Sequence, residues 1–373
     1  MYRSMPFAGK RFVLPLVALY TASLLIAGCG SSGGTLESRA AEDNADSKAR
    51  PVDIFYATNR APSTSAEGVF GPERGPLSYG VAGIGIPADH VIGRHEAPSV
   101  FKFEWSPDER KHISVREVTP LDQKEFFERL ALDVNLSPNR SLMLFVHGYN
   151  TSFGEAARLL AQFSTDLKFS GPALLFSWPS QNSLTGYTVD ETNAEWAQPH
   201  LTRLLGDLLD QTPARRIYLV AHSMGSRVVA RAYNALAADR AVVGQNPFHE
   251  MILVAPDIDA DLFRQDIAPR LSRNGIHVTL YASSGDRALM ASKAFHGYPR
   301  AGDSGKDRVI VPGVETVDAS EAEGGLLGHS YFAEDRRIME DIFGIVQTGQ
   351  RADNRFGLEA VDAPGGRYWT FRK

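Results

Sequence analysis

IYLVAHSMGSRVVARA (217–232) is the stretch whose reading decides the fold. Its first five residues, IYLVA (217–221), form a continuous apolar run, which predicts a strand buried on both faces. From Arg227 the spacing becomes that of an amphipathic helix, RVVARAYNALAAD (227–239). Between them lies Ala221-His222-Ser223-Met224-Gly225, a variant of the G-x-S-x-G turn that lifts a serine off the end of a strand. Geometry dictates the residue types. The turn is sharp and strained, so the residues two before and two after the serine must be small, as Ala221 and Gly225 are. The helix behind it aims unused N–H groups at negative charge developing over the serine. A serine after a strand is also a common helix N-cap, so Ser223 has a bland role available. The rest of the chain must decide between the two.

Outward from this stretch the strand, turn, helix pattern repeats. LMLFV (142–146) is followed by helix EAARLLAQFSTDL (155–167), and ALLFSW (173–178) by helix EWAQPHLTRLLGDLLDQT (195–212). Further strands are predicted at MILVA (251–255), HVTLYA (277–282) and VETVDA (314–319), with a last helix over 333–347. Upstream, VDIFYATNR (52–60), YGVAGIGIP (79–87) and SVFKFEW (99–105) predict strands, 61–78 a Pro/Gly/Ser-rich loop, and LDQKEFFERLALDV (121–134) a helix. Short apolar runs alternating with amphipathic helices predict an α/β fold, a mostly parallel central sheet with helices on both faces. Reacting groups then gather on the loops beyond the carboxyl ends of the strands. The tail after Gln350, ending RYWTFRK, reads as either an added edge strand or a loose end.

LMLFV runs straight into His147-Gly148-Tyr149-Asn150. In hydrolases of this architecture a turn at that place supplies one backbone N–H to an oxyanion hole, and the residue after the nucleophile supplies the other. The expected donors are Tyr149 and Met224. His147 precedes the nucleophile, and its expected role is to shape this turn. An acid and then a base should follow Ser223 in the chain. Asp286, in ASSGDRAL (282–289), lies just past a late strand; Asp257 and Asp259, in VAPDIDAD (254–261), are rivals after the preceding one. Any of these carboxylates also suits a turn or a helix cap. His249 and His277 sit at the wrong ends of their strands, and His296 reads as a substrate-loop residue. His329, in GGLLGHSYF (324–332), follows the last strand of the core and precedes the last helix. It is the expected base, with Asp286 as its partner. Trp178, Tyr187 and Trp196 either line an acyl pocket or pack under a loop.

IFYATNR (54–60), LFVHGYNTSFGEAA (144–157), LLFSWPS (174–180), YLVAHSMGSRVV (218–229), LVAPDIDADLF (253–263), SSGDRAL (283–289) and GHSYF (328–332) together resemble a family of bacterial α/β-hydrolases of unknown function, esterase/lipase-like in kind. The resemblance covers most of 51–347. It implies the α/β-hydrolase fold, the triad Ser223, Asp286 and His329, and a hydrolase acting on ester-type bonds. It names no substrate.

The N-terminus reads as an address. Arg3, Lys10 and Arg11 precede an apolar stretch from Phe12 to Ala27, which ends in small residues. That stretch is short for a bilayer span, which needs roughly 20 residues. Ile26-Ala27-Gly28-Cys29 resembles the lipobox of bacterial lipoproteins, which implies lipidation of Cys29 and a membrane anchor. Gly30 in place of an acidic residue is similar to outer-membrane sorting signals, so the expected site is the cell envelope, at the outer membrane and facing the periplasm. The expected organisation is a signal peptide over 1–29, a polar tether over 30–50, the hydrolase domain over 51–350 and a tail over 351–373.

Cys29 is the only cysteine of the 373 residues, so the folded part holds no disulfide, thiolate metal site or cysteine nucleophile. With 39 Lys and Arg against 44 Asp and Glu, and no basic stripe, nucleic acid is not the expected partner. The expected partners are a small-molecule or lipid ester and, through the anchor, a membrane; no metal or cofactor is expected. Two alternatives remain: an acyltransferase or amidase using the same triad, and a non-catalytic envelope binding protein with a vestigial site. An intact Ser, Asp, His and His-Gly turn argues against the second.

Overall fold

The apolar runs become neighbouring strands because none of them has a polar face to turn to water. The computed structural model describes residues 49–64, 69–94, 96, 108–240, 246–321 and 335–372. Its strands are β1 (Arg50–Pro62), β2 (Phe70–Ile86), β3 (Ser114–Leu121), β4 (Ser141–Val146), β5 (Ala173–Ser177), β6 (Arg216–His222), β7 (Phe248–Val254), β8 (His277–Ala282), β9 (Val314–Asp318), β10 (Leu358–Ala363) and β11 (Gly366–Phe371). They form one sheet in the order β10-β11-β9-β8-β7-β6-β4-β5-β1-β2-β3. Pairing is parallel from β1 through β5, β4, β6, β7, β8 and β9 to β11. It is antiparallel only at the two margins, β1–β2–β3 and β10–β11.

Side chains alternate across this sheet and divide its apolar residues between two cores. In β4, Leu142, Leu144 and Val146 enter one core, while Met143 and Phe145 enter the other. In β6, Ile217, Leu219 and Ala221 join the first, and Tyr218 and Val220 the second. Helices cover both faces: α1 (Gln123–Leu136), α2 (Phe153–Asp166), α3 (Tyr187–Gln211), α4 (Met224–Asp239), α5 (Ala268–Arg273), α6 (Arg287–His296) and α7 (Arg336–Thr348). Phe126 of α1, Leu201 of α3 and Val228 of α4 pack on the first side. Phe163 of α2 and Ile342 of α7 pack on the second. This is the α/β-hydrolase arrangement, a mostly parallel sheet clad on both sides.

The differences from sequence expectation have local causes. Residues 70–78 belong to β2 and not to a loop, despite Pro72 and Pro76. Register shifts in β1 between Thr58 and Arg60, and between Arg60 and Pro62, let that stretch pair irregularly where proline is tolerated. Strand β3 escaped notice because its face is charged and half-exposed, as befits an edge. The predicted strand over 99–105 lies outside the described residues. Helix α3 starts at Tyr187 and not near 195, since the polar residues Asp190 and Asn193 are buried in tertiary hydrogen bonds. RYWTFRK supplies β11, which lies one strand inside the edge: it pairs with β9 through Trp369 and Val317 on one side and with the edge strand β10 on the other. The chain leading to it is held by Arg355, buried between Asp341 at 2.9 Å and Glu315 at 3.0 Å.

Strand order reverses around β4. The chain passes outward to β5 and then crosses back to β6 on the other side. Val146 at the end of β4 lies beside Ala221 near the end of β6. Such a switch point opens a crevice beyond the carboxyl ends of the strands.

Candidate active site

Ser223 is the first residue past β6 and adopts φ 50° and ψ −122°, a left-handed backbone that a side chain rarely accepts. The turn is pinned by neighbours. Its N–H donates to Val254 O at 2.9 Å, and its carbonyl accepts from Ser226 N at 3.1 Å and Asp257 N at 3.2 Å. The hydroxyl makes no capping bond to α4. That removes the bland role, since a capping serine spends its oxygen on the N–H groups of the first turn. Met224, first residue of α4, carries an N–H outside the intrahelical ladder.

Gly225 and Gly148 are required by close approach. A Cβ on Gly225 would strike the carbonyl oxygens of Val146 and His147, which are backbone and cannot yield. A Cβ on Gly148 would come within 2.9 Å of His222 Nδ1 and 3.0 Å of Ser223 Cβ. The His-Gly turn and the serine turn are therefore packed against each other, at the switch point.

The turn after β4 is held from several sides. Trp178 is fully buried, stacks on the His147 ring with centroids 5.0 Å apart, and donates from Nε1 to His147 O at 2.8 Å. Trp178 therefore packs under the loop. Asp190 accepts from Asn150 N at 3.2 Å, Ser180 Oγ at 2.6 Å and Gln181 N at 2.7 Å. Burial pushes its carboxyl up, against the opposing pull of those bonds and of Arg60. Beyond the turn a capping box starts α2: Glu155 N donates to Ser152 Oγ at 3.2 Å, and Ser152 N to Glu155 Oε2 at 2.8 Å. The His147 ring is buried. Burial and the charge of Arg60 push it down to about 3, so it stays neutral and is unfit as a general base.

A family model described as an alpha/beta hydrolase of unknown function, DUF900, matches residues 122–346. The chain belongs to this family. In this DUF900 hydrolase the matched span runs from α1 to α7 and includes both turns. An uncharacterized protein of Nostoc sp., alr1448, is 36% identical over 61 residues, and the chain spans 16% of that relative's length. Solved structures with a similar fold include an esterase from the fungus Rhizomucor miehei, at 10% identity and TM-score 0.34, covering 83% of this chain and 87% of that one. Another is carboxylesterase CesB from Bacillus subtilis, at 10% identity and TM-score 0.34, covering 85% and 99%. A third is the poly(3-hydroxybutyrate) depolymerase LpqC from Bordetella parapertussis, at 13% and 0.33, covering 82% and 92%.

The two acid candidates of this DUF900 hydrolase differ sharply. Asp286 caps α6 with one oxygen: Oδ1 accepts from Ala288 N at 2.9 Å and Leu289 N at 3.0 Å. Its other oxygen, Oδ2, is buried and has no hydrogen-bond partner among the described residues. An unused buried carboxylate oxygen is costly unless something meets it. Asp257 has no such vacancy. Oδ1 takes Arg300 Nε at 2.7 Å and Ser292 Oγ at 2.7 Å, and Oδ2 takes the Tyr187 hydroxyl. Burial works against ionisation there, but Arg300 and Arg227 outweigh it and hold the carboxyl below the usual range. Asp259 caps the short turn that follows, through Asp261 N and Leu262 N.

Among the histidines, His296 lies between Ser292 O at 2.8 Å and Glu191 at 3.0 Å. His329 and Cys29 lie outside the described residues. The described chain leaves β9 beyond Asp318, which pairs with Ala282 at the end of β8, the strand that Asp286 follows by four residues. Tyr149 and Tyr187 meet with ring centroids 5.3 Å apart, and Tyr149 donates to Leu184 O at 2.5 Å. Trp196 is remote from this contact and lies under Arg74, 5.0 Å from the ring centroid. Sequence reading missed Arg60 and Asp190. An arginine that follows the apolar run IFYA within one strand, as in IFYATNR, was the available signal for the first.

Proposed function

We propose that this DUF900 hydrolase cleaves carboxylic esters through an acyl-enzyme on Ser223. One observation carries the reading: the Ser223 hydroxyl, with no capping bond to α4, stands on a strained turn pressed against a His-Gly turn, at the switch point of the sheet. Strain of this kind persists where the surrounding structure imposes it, and it gathers at working sites. In the first step Ser223 Oγ attacks the carbonyl carbon, and His329 takes the hydroxyl proton. The oxyanion is met by the N–H groups of Tyr149 and Met224, and collapse expels the alcohol, which receives the proton from His329. Water then repeats the sequence on the acyl-enzyme and releases the acid. Asp286 Oδ2 meets the second imidazole nitrogen and holds its tautomer.

Incubation of the purified protein with a fluorophosphonate, followed by peptide mass mapping, is expected to place one phosphonyl group on the peptide containing Ser223. A panel of acyl esters of graded chain length then defines the substrate. An unlabelled protein, or labelling on another residue, would sink this mechanism.

The lipobox-like Ile26-Ala27-Gly28-Cys29 supports a companion proposal, that lipid on Cys29 tethers the enzyme in the bacterial envelope, at the outer membrane and facing the periplasm. Cells fed radiolabelled palmitate are expected to label the protein and to fail to label Cys29→Ser, which should leave the membrane fraction. Equal labelling of the two forms would refute the anchor.

A further inference from the structure

Arg60, near the carboxyl end of β1, is 1% exposed, and none of its hydrogen-bond partners among the described residues is a carboxylate. Nε donates to Ser177 Oγ at 2.9 Å, Nη1 to Ser180 O at 3.0 Å and Gly71 O at 3.2 Å, and Nη2 to Thr151 O at 2.6 Å. One guanidinium thus joins β1 to the chain after β5 and to the far end of the His-Gly turn. Arginine is the side chain for this, because its fork of five donors is planar and fixed.

The same Nη2 stands 3.4 Å from His147 Nε2, and Ser177 Oγ stands 3.3 Å from that nitrogen. A guanidinium offers donors only, so Nε2 must turn a lone pair towards it. Ser177, having accepted from Arg60 Nε, has its own proton for the same lone pair. The ring proton therefore sits on Nδ1, which faces Gly148 O, an acceptor only, at 2.8 Å. In a trans peptide the carbonyl and the following N–H point opposite ways. A Gly148 carbonyl drawn onto His147 leaves the Tyr149 N–H facing away from the ring.

We propose that Arg60 is a positioning residue for the oxyanion hole: it sets the tautomer of His147, which grips the Gly148 carbonyl and so aims the Tyr149 N–H at the reacting oxygen. The proposal rests on the ester-hydrolase reading of the site and adds a residue that touches neither substrate nor Ser223. Burial and the neighbouring cation keep His147 neutral throughout the working pH range, so the grip does not titrate away.

The test uses the full-length protein with 15N-labelled histidine. Long-range 1H–15N correlation spectra of wild type are expected to show His147 with its proton on Nδ1. In Arg60→Met the ring becomes a tautomer mixture, and kcat falls by about 10- to 100-fold with KM within twofold, a part of what deleting an oxyanion donor costs. Arg60→Lys keeps a donor-only cation and is expected to retain the tautomer and recover part of kcat. If Arg60→Met does not fold, Ser177→Ala carries the test, since it removes one of the two donors to Nε2 and should produce a smaller mixture and a smaller kcat loss. A folded Arg60→Met, or failing that Ser177→Ala, with both tautomer and kcat unchanged would overturn the proposal. A wild-type protein that turns over no ester would instead overturn the ester-hydrolase reading, and the spectra would still report on Arg60 and His147.

Discussion

Ser223→Ala is expected to lower kcat on short acyl esters by about 10⁴-fold or more with the melting temperature unchanged, while Ser223→Gly is equally inactive and more stable than wild type. Loss of a catalytic-triad nucleophile removes the covalent route and leaves only the roughly 10³- to 10⁴-fold advantage over water that binding and an oxyanion hole supply. Stability separates the two variants because the hydroxyl and the backbone do different things. The hydroxyl caps nothing in α4, so its removal leaves the helix start as it was. The backbone at φ 50° and ψ −122° is strained for any residue with a Cβ, and alanine keeps that strain. Glycine relieves it, worth on the order of 1 kcal/mol or more. Circular-dichroism melting and an ester assay on the three proteins check both halves. A Ser223→Gly protein that melts below wild type would mean that the hydroxyl was holding the turn together. A Ser223→Ala protein that retained turnover would remove the nucleophile from the mechanism.

How far this site could be seen in the sequence follows from how local each part is. The turn at Ser223 and the turn at Gly148 are each one strand end, one glycine and one helix start, and five or six residues suffice to specify them. Their being pressed together depends on β4 lying beside β6, a strand order that alternating apolar runs and helices leave open and the structure supplies. Asp190 gave no such signal. It sits among Thr188, Val189, Glu191 and Thr192, where apolar periodicity fails, and its burial arises because the 180–181 loop folds onto it. Arg60 was hidden for a related reason. Its partners are mostly more than eighty residues away, brought within reach by the pairing of Thr58 with Ser177. The stretch 70–78 was misjudged because proline and glycine ordinarily announce a loop, and only the irregular register of β1 makes room for them in a strand. Periodicity reports which face of an element is buried. It says nothing of which polar groups meet once the faces are packed.

Asp286→Asn is expected to lower kcat by about 10⁴-fold without loss of stability, whereas Asp257→Asn destabilises the fold and leaves the folded molecules active. The contrast follows from what each carboxylate already touches. Asn at 286 can still present its carbonyl oxygen to Ala288 N and Leu289 N, so α6 keeps its cap. What changes is the other atom. In the proposed triad the buried Oδ2 is the acceptor for the imidazole of the base; an NH₂ donor in its place would leave that base in the wrong tautomer, an effect of about 10⁴ in kcat where a triad acid has been replaced this way. At 257 the loss is of a different kind. Removing the charge leaves Arg300, 3% exposed, without its counter-ion, and breaking a buried pair on one side costs about 3–5 kcal/mol. The pH dependence gives an independent check. Asp257 is held below its usual range by Arg300 and Arg227 against the opposing effect of burial, so its stabilising contribution is present at neutral pH. It is lost as pH falls through the depressed folded-state value. The melting difference between wild type and Asp257→Asn is therefore expected to shrink in acid, while Asp286→Asn should melt with wild type at neutral pH. If Asp257→Asn lost turnover at unchanged stability and Asp286→Asn kept it, the acid would be Asp257, and the free oxygen on Asp286 would be a feature of the α6 cap alone.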